Sequence, residues 1–154
     1  MVGDQRIRDL ALALQELRWS WTEDEIPVLA RDFGWTVTGD FDGVIEMDGG
    51  LGPASVVVDV DDNGTVDMVT ISLTSFIDRH ADQERAWLQD QFAHAADVMK
   101  RALGDPTERR PGNLPEVRWR GPDSTVGLTR TTVRVNMYFT LNQKLDADDL
   151  EEEE

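Results

Sequence analysis

The sequence predicts an α+β fold in one domain, an antiparallel sheet packed by two to three helices, with its elements in the order ααββββαβββ. Apolar residues recur at helical spacing in three segments, and β-rich or alternating patterns fill the segments between them. The chain has 154 residues, about the length of one domain, and shows no internal repeat or linker. We therefore predict a single α+β domain over residues 1–145 and consider residues 146–154 separately.

Each of the three predicted helices has one apolar face. Apolar residues at helical spacing predict the first helix over residues 4–18. The second follows Thr22 and Glu25, which have the spacing of a capping box, and it ends at Gly34, a residue typical of helix C-termini. The third covers about 82–103 and is followed by glycine and proline, which end helices.

Seven segments favour strands, four of them before the third helix and three after it. The third and fourth are joined by a turn that contains Asn63-Gly64, a strong hairpin signal. Residues 104–115 hold three prolines and predict irregular structure. In the last segment, 133–141, apolar residues alternate with polar ones, which predicts a half-buried antiparallel strand.

Acidic residues dominate the composition, with 31 Asp and Glu against 15 Lys and Arg and a formal charge of -16. This balance argues against a nucleic-acid partner bound through its phosphates. The absence of cysteine excludes thiolate chemistry and is compatible with a reducing compartment. The apolar run near the start is short and follows acidic residues, so we expect no signal peptide, no membrane partner and a soluble, cytoplasmic protein.

The acidic residues are unevenly distributed along the chain. Before residue 76 there are fifteen acidic and four basic residues, whereas residues 76–145 hold nine acidic and eleven basic ones. The last nine residues, DADDLEEEE, form a run of like charge, which predicts an acidic disordered tail over 146–154. A surface for a basic protein partner is therefore expected in the first half. Its candidate residues are Glu23, Asp24, Asp40 and Asp42.

One segment resembles a calcium-binding loop. Asp59, Asp61, Asn63 and Asp67 have the spacing of ligands in an EF-hand. However, Thr70 stands where that loop needs a bidentate glutamate, and the flanking segments are strand-like rather than helical. We favour a hairpin turn with solvated carboxylates and no metal, and we keep calcium binding by these four residues as the alternative.

Arginines form the second candidate surface. Arg118, Arg120 and Arg134 are expected on the outward faces of neighbouring strands, where they could bind a carboxylate-rich or phosphate ligand. We favour the simpler interpretation that they pair with acidic residues of the protein itself. The acids considered for this pairing are Glu116, Asp90 and Asp97.

No arrangement of residues indicates catalysis. The chain has two histidines and lacks the GxSxG and SxxK motifs of nucleophilic hydrolases. We expect His94 to be a surface histidine paired with Asp90 or Asp97, one helical turn away on either side. The sequence therefore predicts no enzyme and no cofactor.

Several short motifs occur together, namely Trp19-Ser20-Trp21, Phe33-Gly34-Trp35, Gly104-Asp105-Pro106-Thr107, and Arg110-Pro111-Gly112 leading into Val117-Arg118-Trp119. This combination resembles a family of uncharacterised small acidic proteins from actinobacteria, a domain of unknown function, over most of the chain except the tail. The resemblance transfers no catalytic residue. Small proteins of this appearance often serve as immunity or accessory partners of secreted toxins.

We therefore predict a non-enzymatic, acidic protein-interaction domain that neutralises a toxin in the manner of an immunity protein. Two alternatives stay open. One is a secretion-accessory chaperone, and the other is a small-ligand or calcium-binding module that uses the Asp59–Asp67 turn.

Overall fold

The computed structural model describes residues 1–153 and contains one α+β domain, as the sequence predicts. Its elements follow the order ααββββαββββα, which adds one strand and one helix to the predicted order. The helices are α1 (Asp4–Glu16), α2 (Ile26–Phe33), α3 (Asp82–Leu103) and α4 (Asn142–Glu153). The strands are β1 (Thr36–Phe41), β2 (Val44–Asp48), β3 (Val56–Val60), β4 (Val66–Ser72), β5 (Glu108–Arg110), β6 (Glu116–Arg120), β7 (Ser124–Arg130) and β8 (Val135–Leu141).

All eight strands belong to one antiparallel sheet, in the spatial order β1-β2-β3-β4-β8-β7-β6-β5. The predicted hairpin at Asn63-Gly64 is confirmed, because β3 pairs with β4 across that turn. The last strand, β8, lies between β4 and β7 and joins the two four-stranded halves. The chain's acidic first half and its more basic second half therefore occupy opposite ends of one sheet.

Three helices and the sheet together form one hydrophobic core. Buried residues of α1, α2 and α3 cluster with the apolar residues of β2–β4 and β6–β8. Gly34 ends α2 with a φ of 74°, so the predicted glycine cap is confirmed. We call this side of the sheet the helical face. No helix within residues 1–153 is both long enough and apolar enough to cross a membrane.

The opposite side of the sheet carries Arg118, Arg120 and Tyr138, and we call it the arginine face. Helix α4 packs there, with Leu145 buried. Strand β8 is consequently buried on both faces, whereas its alternating sequence predicts a half-buried strand. The polar residues that the pattern assigns to solvent face a layer made by the chain's own C-terminal helix.

Three local predictions differ from the structure. Residues 142–153 form α4, although the like charges of 146–154 predict a disordered tail, because cations of the sheet contact its carboxylates. The short strand β5 lies within 104–115, where the prolines predict irregular structure; three residues suffice to pair with β6. The predicted capping box is also wrong, since Glu25 accepts a hydrogen bond from the Ser20 amide at 3.3 Å rather than from Thr22.

Candidate functional site

Four acidic side chains surround a small cleft at the end of the sheet near the β1–β2 and β3–β4 turns. The cleft has a volume of about 180 Å³, and its acidic residues are Glu23, Asp42, Asp61 and Asp62. Two backbone hydrogen bonds hold the three segments together: the Glu23 amide donates to the Gly64 carbonyl, and the Val60 amide donates to the Gly43 carbonyl, both at 2.9 Å. Tertiary structure thus assembles carboxylates that are far apart in sequence.

We use the name acidic end for this group together with its neighbours Asp24 and Asp40. Asp24 follows Glu23 in a short 3₁₀ helix (Glu23–Glu25), and Asp40 lies on β1 beside the turn at Asp42. All four predicted acidic candidates are exposed. No Lys, Arg or His nitrogen of residues 1–153 lies within 4.0 Å of their carboxylates or of those of Asp61 and Asp62.

An exposed aromatic ring lies next to these charges. Phe41, the last residue of β1, is 60% exposed and also lines the acidic cleft. Its ring is folded over Gly39, where an added Cβ would come within 2.8 Å of Phe41 Cε2. Val37 on the same strand is exposed as well, and β1 is the outermost strand of the sheet. The acidic end therefore combines unpaired carboxylates with accessible apolar surface.

The four residues considered for calcium do not form a common site. An Asp61 carboxylate oxygen accepts hydrogen bonds from the Asn63 and Thr65 amides, each at 2.9 Å, and so stabilises the turn. Burial raises the pKa of Asp59 and of Asp67, and each shift is moderated by Lys144 of α4. Among residues 1–153, no three His, Cys, Asp or Glu side chains are arranged to hold a metal ion.

His94 pairs with an acidic residue, but not with either one predicted. Its Nε2 lies 2.7 Å from Oδ1 of Asp4 at the start of α1. The predicted partners Asp90 and Asp97 are on α3 itself, and Asp97 pairs with Arg101 instead. Helices α1 and α3 pack together, which brings a residue 90 positions away closer than either helical neighbour.

A tryptophan cleft of about 660 Å³ lies between the ends of α1 and α3 and the β6–β7 turn. Trp21 has a φ of 59°, which is strained for a bulky residue. Its ring lies 5.2 Å from that of Trp19 and 4.7 Å from that of Phe139. Aromatic packing against the sheet compensates for the strain and gives these rings a structural role.

The arginine face centres on Arg118, whose side chain is only 7% exposed. Its Nε lies 2.5 Å from a Glu116 oxygen, and the Tyr138 hydroxyl donates to the same oxygen at 2.5 Å. The Arg118 Nη1 also donates to Glu108 at 3.2 Å. This network confirms the predicted pairing with Glu116.

A missing side chain makes room for Tyr138. An added Cβ at Gly127 would lie 2.0 Å from the Tyr138 ring, so the ring crosses β7 directly above this glycine. Burial, followed by the Glu116 charge, raises the pKa of the Tyr138 hydroxyl above its ordinary value. The hydroxyl therefore stays protonated and serves as a hydrogen-bond donor.

Helix α4 contributes the acidic partners that the sequence does not predict. Asp149 accepts from Arg118 through both oxygens, at 2.7 and 3.0 Å, and from Arg110 at 3.1 Å. Asp146 accepts from Arg120 in the same two-pronged manner, at 2.7 and 2.9 Å. These hydrogen bonds lower the pKa of both aspartates, and the one to Asp149 is the main cause that raises the pKa of Arg118.

Arg134, the third predicted arginine, lies apart from this network. Its guanidinium donates to the Ser72 hydroxyl at 3.0 Å and lies 4.8 Å from the centre of the Phe76 ring. Burial lowers the pKa of Arg134. The three predicted arginines therefore do not form one ligand site, and Arg110 instead of Arg134 joins Arg118 at Asp149.

Residues 5–140 match a family of unknown function (DUF6301). The chain belongs to this family. Neither a curated protein nor a solved structure matches it. The DUF6301 match includes the whole sheet to Thr140 and ends before α4, so the arginines lie inside the matched region and their partners Asp146 and Asp149 lie outside it.

Proposed function

We propose that this protein is a non-enzymatic interaction domain that binds a basic partner protein through the acidic end. Neutralisation of a toxin, in the manner of an immunity protein, is the role that we propose for this binding. We further propose that it acts in the cytoplasm and that the family consists of small acidic proteins of actinobacteria. The proposal takes its partner chemistry from one observation, the unpaired and exposed carboxylates beside Phe41.

Unpaired carboxylates at one end of a molecule create a negative field that reaches beyond contact distance. Such a field raises the rate at which a cationic surface arrives and orients it, and salt screens the effect. Carboxylates already paired within the protein contribute much less to it. The acidic end is therefore better suited to attract a basic partner than α4, although both are rich in acidic residues.

Phe41 supplies the second component of an interface. Stable interfaces combine a buried aromatic or aliphatic anchor with a polar rim. A ring that is 60% exposed between Asp40 and Asp42 offers such an anchor with the rim around it. We expect charge to govern the association rate and Phe41 to govern the dissociation rate.

The test begins with the partner that co-purifies with the full chain from native lysate, purified in turn for kinetics. We expect the association rate constant to fall about tenfold or more between low and high salt. The variant D40N/D42N should lower this rate constant at low salt, whereas F41S should mainly raise the dissociation rate constant. The matched control is E84Q/D90N, which removes the same charge from exposed positions on α3.

Two results would contradict the proposal. One is an association rate that is indifferent to ionic strength. The other is an equal effect of D40N/D42N and E84Q/D90N, which would assign the steering to net charge rather than to the acidic end. For the immunity role, expression of the partner's gene alone should stop cell growth, and co-expression of this chain should restore it. If the partner does not harm the cells, the proposal is limited to binding.

A further inference from the structure

Helix α4 has a charge pattern that does not favour an isolated helix. Its last turn contains acidic residues and no basic ones, so the carboxylates lie at the negative end of the helix dipole. Asp148 and Glu152, four residues apart, repel each other. Asp146, Asp149 and Glu152 instead lie against arginines of the sheet. The arginine face therefore holds α4 in its helical form.

The contact has a specific geometry rather than a general attraction of opposite charges. The guanidinium groups of Arg118 and Arg120 each donate hydrogen bonds from two nitrogens to the two oxygens of one carboxylate. Paired forks of this kind add geometric selectivity to charge. The two carboxylates, on Asp146 and Asp149, are three residues apart, and the preceding residue, Leu145, is buried against the sheet. The face thus recognises a leucine followed by acidic residues at the first and fourth positions after it.

Helix α4 and the arginine face that it covers come from different parts of the chain. Arg110, Arg118, Arg120 and Tyr138 all lie within the DUF6301 match, which ends at residue 140. Helix α4 begins at Asn142, where Thr125 Oγ1 donates to Asn142 Oδ1 at 2.6 Å and Asn142 Nδ2 donates to the Gly121 carbonyl at 2.9 Å. This fixed start leaves the rest of α4 as a unit that contacts the sheet mainly through side chains. A cavity of about 270 Å³ remains beneath it.

We propose that the arginine face is a binding surface for an acidic helical segment of a partner protein, and that α4 occupies this surface as an intramolecular competitor. The partner segment carries a leucine with carboxylates one and four residues after it. This binding is separate from that proposed for the acidic end, because it uses the opposite end of the sheet and the opposite charge. Displacement of α4 would free its carboxylates and expose Arg118.

The test uses the full chain and a fluorescent peptide with the sequence of residues 142–152. In the variant D146N/D149N, α4 loses both forked ion pairs, so the added peptide should bind at least tenfold more tightly than to the matched control. That control is D148N/E151Q, which removes the same charge from α4 without touching an arginine contact, since Asp148 pairs with Lys144. Addition of R120Q to D146N/D149N should weaken peptide binding at least fivefold. Fluorescence anisotropy at fixed ionic strength measures all three.

Equal peptide affinity of D146N/D149N and D148N/E151Q would overturn the proposal. So would equal binding of a scrambled peptide with the same composition, because the face would then attract charge without recognising a pattern. If D146N/D149N fails to fold, hydrogen exchange of the wild-type chain decides. Excess peptide should speed exchange of the α4 amides and leave β8 unchanged, and unaltered α4 exchange would overturn the proposal.

Discussion

The acidic end and α4 are both rich in carboxylates, but the structure uses them in opposite ways. At the acidic end, Asp40 and Asp42 have no cationic partner within residues 1–153 and remain exposed. In α4, Asp146, Asp148, Asp149 and Glu152 all contact a cation of the protein. Acidic composition alone therefore does not identify a binding surface; the pairing of each carboxylate does.

The difference also predicts which charges stabilise the fold. An unpaired exposed carboxylate repels its neighbours slightly, whereas a carboxylate that compensates a buried guanidinium prevents a large desolvation cost. Arg118 is the residue on which this contrast depends, because it is buried and contacts Glu108, Glu116 and Asp149. Loss of this residue should affect α4 and the sheet together.

The largest effect is expected from R118M, which keeps much of the apolar stem and removes the charge. Glu116 and Asp149 would then lose their main cationic partner while Tyr138 stays buried above Gly127. We expect a loss of about 3 kcal/mol in the free energy of unfolding, measured with urea. The control is R120M, whose arginine is 46% exposed and should cost no more than about 1 kcal/mol. Similar losses in the two variants would contradict a central role for Arg118.

Periodicity and turn chemistry were enough to predict the helical face from the sequence. The sequence predicts the third helix over about 82–103, which matches the observed Asp82–Leu103, because apolar spacing and the following glycine are local signals. Gly34 and the Asn63-Gly64 hairpin are local signals of the same kind. Alternation with Val117 and Trp119 likewise predicts that Arg118 and Arg120 share the opposite face of their strand, but Arg118 is buried there beneath α4 instead of facing solvent.

Neither the packing of α4 nor the assembly of the acidic end can be predicted from the sequence, because both depend on contacts between distant residues. A run of like charge predicts disorder unless its partners are known, and those of Asp149 lie 31 and 39 residues earlier in the chain. One signal was available, the leucine before two aspartates spaced by three, but it has meaning only beside a row of arginines. The acidic end depends likewise on the pairing of β2 with β3, which brings the β1–β2 and β3–β4 turns together.

An effect of intermediate size is expected on the stability of α4 when the pH is lowered. Hydrogen bonds from Arg118 and Arg120 lower the pKa of Asp149 and Asp146. A lowered folded-state pKa means that the stabilisation is complete above the unfolded value, near 4, and is lost as the pH falls through the folded value. Hydrogen-exchange protection of α4, corrected for intrinsic rates, should therefore be constant from pH 7 to about 5 and then decrease relative to β8.

Asp59 and Asp67 provide the internal control for this pH profile. Burial raises the pKa of each, so their charged forms oppose folding, and protonation as the pH falls relieves that cost. The variant D59N should consequently be slightly more stable than the wild type at pH 7 and equal to it at low pH.

A loss of α4 protection that already begins above pH 6, or none down to pH 2, would contradict the assignment to Asp146 and Asp149.

The smallest effect is expected at the acidic end itself. The variant D40N/D42N removes two carboxylates without cationic partners, so the free energy of unfolding should rise or stay within about 0.5 kcal/mol of the wild type. Any gain comes from relief of repulsion and should vanish in high salt, which makes urea unfolding at two ionic strengths the decisive measurement. A loss of stability that persists in high salt would instead mean that Asp40 or Asp42 holds the β1–β2 turn. The contrast between the two acidic regions would then fail, because both would serve the fold.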